Sequence, residues 1–301
     1  MARGARGVVV PDFVPADLLD TMVEEKVTHT FFVPTMLAAL CAVPGVGERR
    51  LALSQVIYSG SPIGTATLTA AIAALRCDFV QIYGMTEATG AFAQLPADDH
   101  GPSGPRHAGR ADLLRSAGRP YPWVELRIVE PGTDREVAEG AVGEICTRSE
   151  QNMLGYWNRP EETAAALTAD GWLRTGDLGY LDDGRIYLVD RVKDLVITGG
   201  ENVYPAEIED VLASHPDLAE VAVIGVPDPR WGETVKAIAV ARPGCEPDPT
   251  EVIRFARERL AHFKCPTSVD FVDGLPRTAT GKVVKGRLRE PYWRGHDRGI
   301  H

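Results

Sequence analysis

The sequence predicts an α/β protein with a parallel sheet and a small β-barrel in residues 1–190, followed by a smaller α+β domain in 191–301. Three observations predict it. Apolar, β-branched strands alternate with helical segments up to Tyr83, the pattern of a parallel sheet. From Val124 the pattern changes to short strands with no helix between them. After Asp190 the chain restarts with its own helices, strands and apolar faces.

The first element is Gly7 to Val10, whose three valines read as a buried strand entered from a loop. The start MARGARGVVVPDF has too short an apolar core for a signal peptide, and Met1 reads as an internal start. A helix opens at Pro15, a residue suited to the first helical position, with Asp17 in its first turn. Leu18, Leu19, Met22 and Val23 give it one apolar face. Thr28 to Val33 is a buried strand and Gln55 to Ser59 another, ending in the turn cluster Ser59-Gly60-Ser61-Pro62. A helix of small residues follows from Thr65 to Leu75. Phe79 to Tyr83 is a third strand, ending at Gly84. Residues 96–120 are rich in Pro and Gly and read as a loop. Short strands at Val124–Val129, Gly143–Thr147 and Ile186–Val189 suggest the barrel, so 1–120 is the αβ subdomain and 121–190 the barrel subdomain. In the last part, a helix over Pro205–Ser214 turns Ile208, Val211 and Leu212 inward. Strands at Val221–Val226 and Val235–Ala241, a helix over Thr250–Leu260 and a last helix from Val283 complete the chain.

Composition narrows the function. Hydrophobic residues make up 44% and charged residues 25% of 301 residues, ordinary for a globular protein. The net charge of −10 argues against a nucleic-acid partner. The acid excess lies in residues 1–190, with 16 Lys+Arg against 25 Asp+Glu; residues 191–301 hold 16 against 17. The tail is locally basic at Arg277, Lys282, Lys285, Arg287 and Arg289, either a solvated helix face or a lid over anionic phosphates. Five scattered cysteines with no metal-ligand spacing predict reduced thiols in a cytoplasmic protein. No apolar run reaches the roughly 18 residues that a membrane span needs.

The most specific stretch runs from Gly171 to Glu209, GWLRTGDLGYLDDGRIYLVDRVKDLVITGGENVYPAEIE. It holds an acidic loop, Arg174-Thr175-Gly176-Asp177-Leu178, then a β-hairpin, Asp190-Arg191-Val192-Lys193 and Gly199-Gly200-Glu201-Asn202. Tyr83-Gly84-Met85-Thr86-Glu87 precedes it, and Pro276-Arg277-Thr278-Ala279-Thr280-Gly281-Lys282 follows. This ordered set resembles the adenylate-forming enzymes: acyl-CoA synthetases, peptide-synthetase adenylation domains and luciferases. The resemblance implies a partial large AMP-binding domain in 1–190 and a small mobile α+β lid in 191–301. The family's Ser/Thr/Gly-rich phosphate loop, which precedes these motifs, has no counterpart, so the chain reads as an N-terminally truncated member.

The resemblance implies a role for each candidate residue, beside a plainer alternative. Tyr83 offers an aromatic face to adenine; alone it would be an ordinary strand-end tyrosine. Gly60, Ser61 and Pro62 would border the purine, because a turn poor in side chains lets a ring approach backbone, and Gly84 and Met85 would also contact the nucleotide. Thr86 can bond a phosphate oxygen and Glu87 can hold Mg²⁺ between phosphates; a helix cap is the alternative. Asp177 can accept bonds from both ribose hydroxyls, or simply shape a turn. Arg191 contacts the nucleotide in relatives, or else pairs with Asp190 or Asp194. Lys193 falls at the family's hinge, about which the lid turns between adenylate-forming and thioester-forming poses. Gly199 and Gly200 would line a pantetheine tunnel, where a missing side chain suits a narrow channel, or form a hairpin turn. Trp231 and Phe263 match positions that hold the CoA nucleotide in some aryl- and fatty-acyl-CoA ligases; plain packing is the alternative. Lys282 is the candidate catalytic cation for the carboxylate and α-phosphate.

The implied function is an ATP-dependent acyl-CoA ligase of fatty or aromatic acids. Its co-substrates are a small carboxylic acid, ATP and CoA, with Mg²⁺; homo-oligomer formation stays open. Two alternatives are a peptide-synthetase adenylation module and an inactive fragment that only binds nucleotide or a partner.

Overall fold

A computed structural model describes residues 4–101, 111–278 and 281–295. The chain folds as two units. One holds residues 1–127, 146–174 and 181–188, the other 128–145, 175–180 and 189–301. The expected 121–190 subdomain is therefore shared between the units. The two-domain division at 190/191 remains a proposal drawn from the family pattern.

The first unit is built on α1 (Pro15–Glu24), β1 (His29–Phe32), α2 (Pro34–Cys41), β2 (Gln55–Tyr58), α3 (Thr65–Leu75), β3 (Asp78–Met85), β4 (Gly90–Leu95) and β5 (Arg119–Pro120). The sheet order is β1-β2-β3-β4-β5. The first three strands are parallel, while β4 is antiparallel to both β3 and β5. The sheet is thus mixed rather than wholly parallel. The reversal is local: Thr89 and Gly90 take positive φ, and Met85 pairs with Gly90. A tight turn of this kind can only join antiparallel strands. Leu19, Met22, Leu37, Leu40 and Leu68 pack from the helices onto Phe32, Val56, Tyr58 and Phe79 of the sheet.

Several expectations for this unit need correction. Gly7–Val10 is not a strand, and Val9 is 89% exposed; among the described residues no strand pairs with it. The strand at Thr28–Val33 exists as β1, but it is an edge strand that buries only Phe32 and leaves Phe31 exposed. Val23 of α1 faces solvent. Within 96–120, 3₁₀ turns at Ala97–His100 and Ala111–Arg115 and the short β5 replace continuous loop; residues 102–110 lie outside the described residues.

A four-stranded sheet stands where the barrel is expected. It comprises β6 (Glu125–Val129), β7 (Gly143–Arg148), β8 (Leu173–Asp182) and β9 (Arg185–Arg191), in the order β6-β7-β8-β9. Helix α4 (Pro160–Ala166) lies between β7 and β8 in the chain. The Arg174–Leu178 segment is strand, not loop. Asp183 and Gly184 at positive φ make the two-residue turn to β9.

In the second unit, β10 (Val196–Thr198), β11 (Glu201–Val203), α5 (Pro205–Leu212), β12 (Leu218–Asp228), β13 (Gly232–Ala241), α6 (Pro249–Arg257), β14 (Ser268–Phe271) and α7 (Lys285–Trp293) follow. The sheet order is β11-β10-β13-β12, with β14 parallel to β13. Alternation along the strands builds two cores. Val223, Val235, Ala237 and Ala239 face Ile208, Leu212, Val252 and Ala256. Ala222, Ile224, Val226 and Ile238 form the other core, against Leu288 and Tyr292 of α7.

Candidate nucleotide and acyl-transfer site

In the first unit, parallel pairing of β2 with β3 puts their carboxyl ends on the same edge of the sheet, the edge where ligands of α/β sheets bind. Two candidate groups lie there. Gly60, Ser61 and Pro62 follow β2 and are exposed. Gly60 takes φ +99, and a Cβ there would sit 3.3 Å from Val33 Cγ1. Thr86 and Glu87 follow β3 in a 3₁₀ turn, Thr86–Ala88. Thr86 is exposed and Glu87 is half-buried.

Tyr83 is buried, its ring edge-on to Phe92 with centroids 4.6 Å apart. Gly84 follows at a register shift between β3 and β4. A Cβ on it would lie 2.0 Å from the Gly90 carbonyl oxygen, so only glycine fits. Met85 is half-buried.

The Glu87 turn is held by a segment to which sequence reading gave no role. Tyr156 donates its hydroxyl to Glu87 Oε1 at 2.8 Å, and the Met153 amide donates to the Glu87 carbonyl at 2.7 Å. Gln151 Nε2 donates to the carbonyls of Ala88 and Ala91. Burial, then the bond to Glu87, raises the Tyr156 hydroxyl above the ordinary tyrosine range. Gln151-Asn152-Met153 has neither periodicity nor a charged group to mark it.

Among the described residues no cluster of three or more His, Cys, Asp or Glu stands ready for a metal. Glu87 fits Mg²⁺ in a narrower sense, as one half-buried carboxylate with an oxygen already fixed; phosphates and water complete such a shell.

In the second unit, Asp177 lies in β8 beside Arg191 in β9. Arg191 Nε donates to Asp177 Oδ1 at 2.9 Å. The partners that sequence alone suggests for Arg191, Asp190 and Asp194, are engaged otherwise. Asp190 accepts the amides of Arg191 and Ala206, and its burial raises its carboxyl above the ordinary range. Asp194 pairs with Arg289 at 3.0 Å. Lys193 sits between them in a 3₁₀ turn, with Arg289 donating to its carbonyl at 2.8 Å.

Gly199 and Gly200 both take positive φ and form the two-residue turn between β10 and β11. A Cβ on Gly200 would meet nothing within 4 Å, whereas Gly199 is covered. A Cβ on Gly199 would lie 2.8 Å from the Trp231 ring, and the Gly199 amide donates to the Trp231 carbonyl. Trp231 is 47% exposed, under the guanidinium of Arg230 at 4.5 Å. Phe263 is also exposed, in a 3₁₀ turn at His262–Lys264 that packs against β11.

Lys282 is exposed on a loop closed by the Thr278 amide on its carbonyl and by the Arg277–Val283 bridge. Ala279 and Thr280 of its motif lie outside the described residues. The basic tail is largely neutralised: Arg277 pairs with Glu220, Lys285 with Glu209 and Arg289 with Asp194.

A cavity of about 690 Å³ contains none of these residues. Asp78, Phe79 and His100 line it at the amino end of β3, the wrong end of the sheet.

Residues 1–157 match the AMP-binding enzyme family, and residues 207–282 match the AMP-binding enzyme C-terminal domain. The chain belongs to the AMP-binding, adenylate-forming enzymes. Its relatives span several acids and acceptors. A fatty acid–[acyl-carrier-protein] ligase of Streptomyces coeruleorubidus is 41% identical over 292 residues, 96% of this chain and 54% of that protein. An indoleacetate–CoA ligase of Aromatoleum aromaticum is 41% identical over 293 residues, 96% of this chain and 55% of the relative. The ATP-bound MatB structure from Rhodopseudomonas palustris superposes with a TM-score of 0.84 at 35% identity, covering 96% of this chain and 55% of that one. This AMP-binding enzyme chain thus spans about half the length of the relatives it matches. No helix among its described residues is long and apolar enough to cross a membrane.

Proposed function

We propose that this chain carries adenylation and thioester-forming residues of an ATP-dependent acyl-CoA ligase acting on fatty or aromatic acids. The observation that carries the reading is the Thr86–Glu87 turn beyond β3, at the same sheet edge as the Gly60–Pro62 turn. In the first half-reaction a carboxylate oxygen attacks the α-phosphorus of ATP, the bond to pyrophosphate breaks, and acyl-AMP forms. In the second, a thiolate attacks the acyl carbon and AMP leaves.

Each residue has one task. Gly60, Ser61, Pro62, Gly84 and Met85 border the adenine, and Tyr83, fixed by Phe92, backs them. Thr86 donates to phosphate. Glu87 would hold Mg²⁺, which neutralises phosphate charge when bound. Asp177 accepts the ribose hydroxyls, and Arg191, bonded to that carboxylate, contacts the nucleotide. Lys282 stabilises charge on the carboxylate and α-phosphate, and Lys193 is the hinge. Gly199 and Gly200 give the pantetheine arm its passage, while Trp231 and Phe263 take the CoA nucleotide. The carrier-protein ligase among the relatives supports a second reading, in which the acceptor thiol belongs to a carrier protein.

Pyrophosphate exchange into ATP, screened over fatty and aromatic acids, tests the proposal. Exchange that depends on one of these acids is expected; none with any acid refutes it. CoA and a carrier protein, offered in turn, then separate the two acceptors.

A further inference from the structure

The Gln151–Tyr156 segment bonds to the Glu87 turn far more heavily than its sequence would suggest. Five hydrogen bonds link Gln151, Met153 and Tyr156 to residues 87–91. Beyond the four described above, Thr89 Oγ1 donates to the Gln151 carbonyl at 2.6 Å. The Gln151 side chain is itself fixed, because Trp123 Nε1 donates to its Oε1 at 2.9 Å.

Tyr156 is equally constrained. Its amide donates to Thr163 Oγ1 in α4 at 2.9 Å. Gly155 before it takes φ +147, and a Cβ there would lie 2.8 Å from Thr163 Cγ2, so the loop can press against α4 only with glycine at this point. Its apolar neighbours behave differently: Leu154 and Trp157 stand almost wholly in solvent. Only Tyr156 turns its polar end onto the carboxylate. A surface tyrosine meeting a glutamate by accident would need neither the anchored backbone nor the second bond from Met153 to the Glu87 main chain.

We propose that Tyr156 is a positioning residue for Glu87: it occupies Oε1 and so presents Oε2 to a divalent cation bound with the nucleotide. The inference rests on the nucleotide-and-metal reading of Glu87 and names a residue which that reading lacks. Partners that orient a ligating carboxylate are worth about 10- to 100-fold in metal affinity. Tyr156→Phe deletes one hydroxyl and keeps the ring, so it isolates that bond.

The test needs no turnover. The 301-residue chain is titrated with Mn²⁺, standing in for Mg²⁺, in the presence of a non-hydrolysable ATP analogue, and free Mn²⁺ is read by electron paramagnetic resonance. Glu87→Gln should remove the analogue-dependent Mn²⁺ binding. Tyr156→Phe should weaken it by about 10-fold or more, and should add nothing in the Glu87→Gln background. AMP alone, which brings no metal, should bind the Phe variant as it binds the unaltered chain. Mn²⁺ affinity unchanged in Tyr156→Phe, while Glu87→Gln abolishes binding, overturns the inference and leaves the reading of Glu87 standing. Equal losses of Mn²⁺ and AMP would mark a merely structural role and also overturn it. Mn²⁺ binding insensitive to Glu87→Gln, or absent from the unaltered chain, overturns the metal assignment of Glu87, and the inference falls with it.

Discussion

Arg191 Nε donates to Asp177 Oδ1 across 2.9 Å, joining two candidate nucleotide residues that lie fourteen positions apart on neighbouring strands. Asp177 is the more buried partner, with its side chain 16% exposed against 48% for the arginine. A carboxylate oriented in this way can still accept a ribose hydroxyl. Hydrogen bonds to charged groups are worth about 1.5–3 kcal/mol, so Asp177→Ala should weaken AMP binding by roughly 10- to 100-fold. Calorimetric titration measures it. AMP and 2′-deoxy-AMP should bind the variant equally if Asp177 reads the hydroxyls; a preference kept intact would place that contact elsewhere.

Gly84→Ala should destabilise the first unit whatever the chain's activity. The new methyl would lie 2.0 Å from the Gly90 carbonyl oxygen and 2.5 Å from Ala91 Cα. Both belong to the backbone of a paired strand, so neither can move aside cheaply. Overpacking of this kind costs about 1–3 kcal/mol. Urea unfolding should show the loss as a lower midpoint; an unchanged midpoint would mean that the β3–β4 bulge relaxes freely.

Local patterning made much of the fold legible. Pro15 and the small-residue run at Thr65–Leu75 mark α1 and α3, and the hairpin expected after Arg174–Leu178 is formed by β8 and β9. What local pattern cannot carry is pairing. Gly-Val-Val-Val looks like a strand because valine suits a pleated surface, yet a strand needs a neighbour. Arg174–Leu178 looks like a loop because Gly and Asp favour turns, yet Thr175 donates to the Ile145 carbonyl and the segment joins a sheet. The same holds for the site. Tyr83, Glu87, Asp177 and Lys282 stand in recognisable motifs. Tyr156 and Gln151 act through bonds to distant parts of the chain, and nothing in QNMLGY announces them.

Lowering the pH below neutrality should weaken the first unit through His100. Burial, its largest influence, lowers the imidazole pKa below the ordinary 6.5, against a smaller upward pull from the Pro96 carbonyl and Asp99. The neutral ring donates from Nδ1 to the Pro96 carbonyl and accepts the Tyr58 hydroxyl on Nε2, both at 2.9 Å. The unfolded chain then binds the proton more readily than the folded one. The stability is fully present above pH 6.5 and is lost as pH falls through the folded pKa. Thermal unfolding followed between about pH 8 and 5 should show a declining Tm, with a shallower decline in His100→Gln. Equal slopes would remove His100 from the linkage.

Lys282→Ala should separate the two half-reactions. The Lys282 side chain is exposed, and its loop is closed by main-chain bonds and by Arg277, whose guanidinium reaches the Gly281 carbonyl and Glu220. Truncating the lysine leaves all of those contacts in place, so a loss of activity would not reflect a loss of structure. A cation placed on the charge that develops at the carboxylate and α-phosphate acts during adenylation, and losing one such donor costs about 10²- to 10³-fold in rate. Pyrophosphate exchange should fall by that order. Transfer from preformed acyl-AMP to the thiol proceeds without ATP, and should stay within a few-fold of the unaltered chain. Lys282→Arg keeps the charge but spreads it over a planar fork, so it should recover only part of the exchange rate. Equal losses in both half-reactions would show that Lys282 serves both steps.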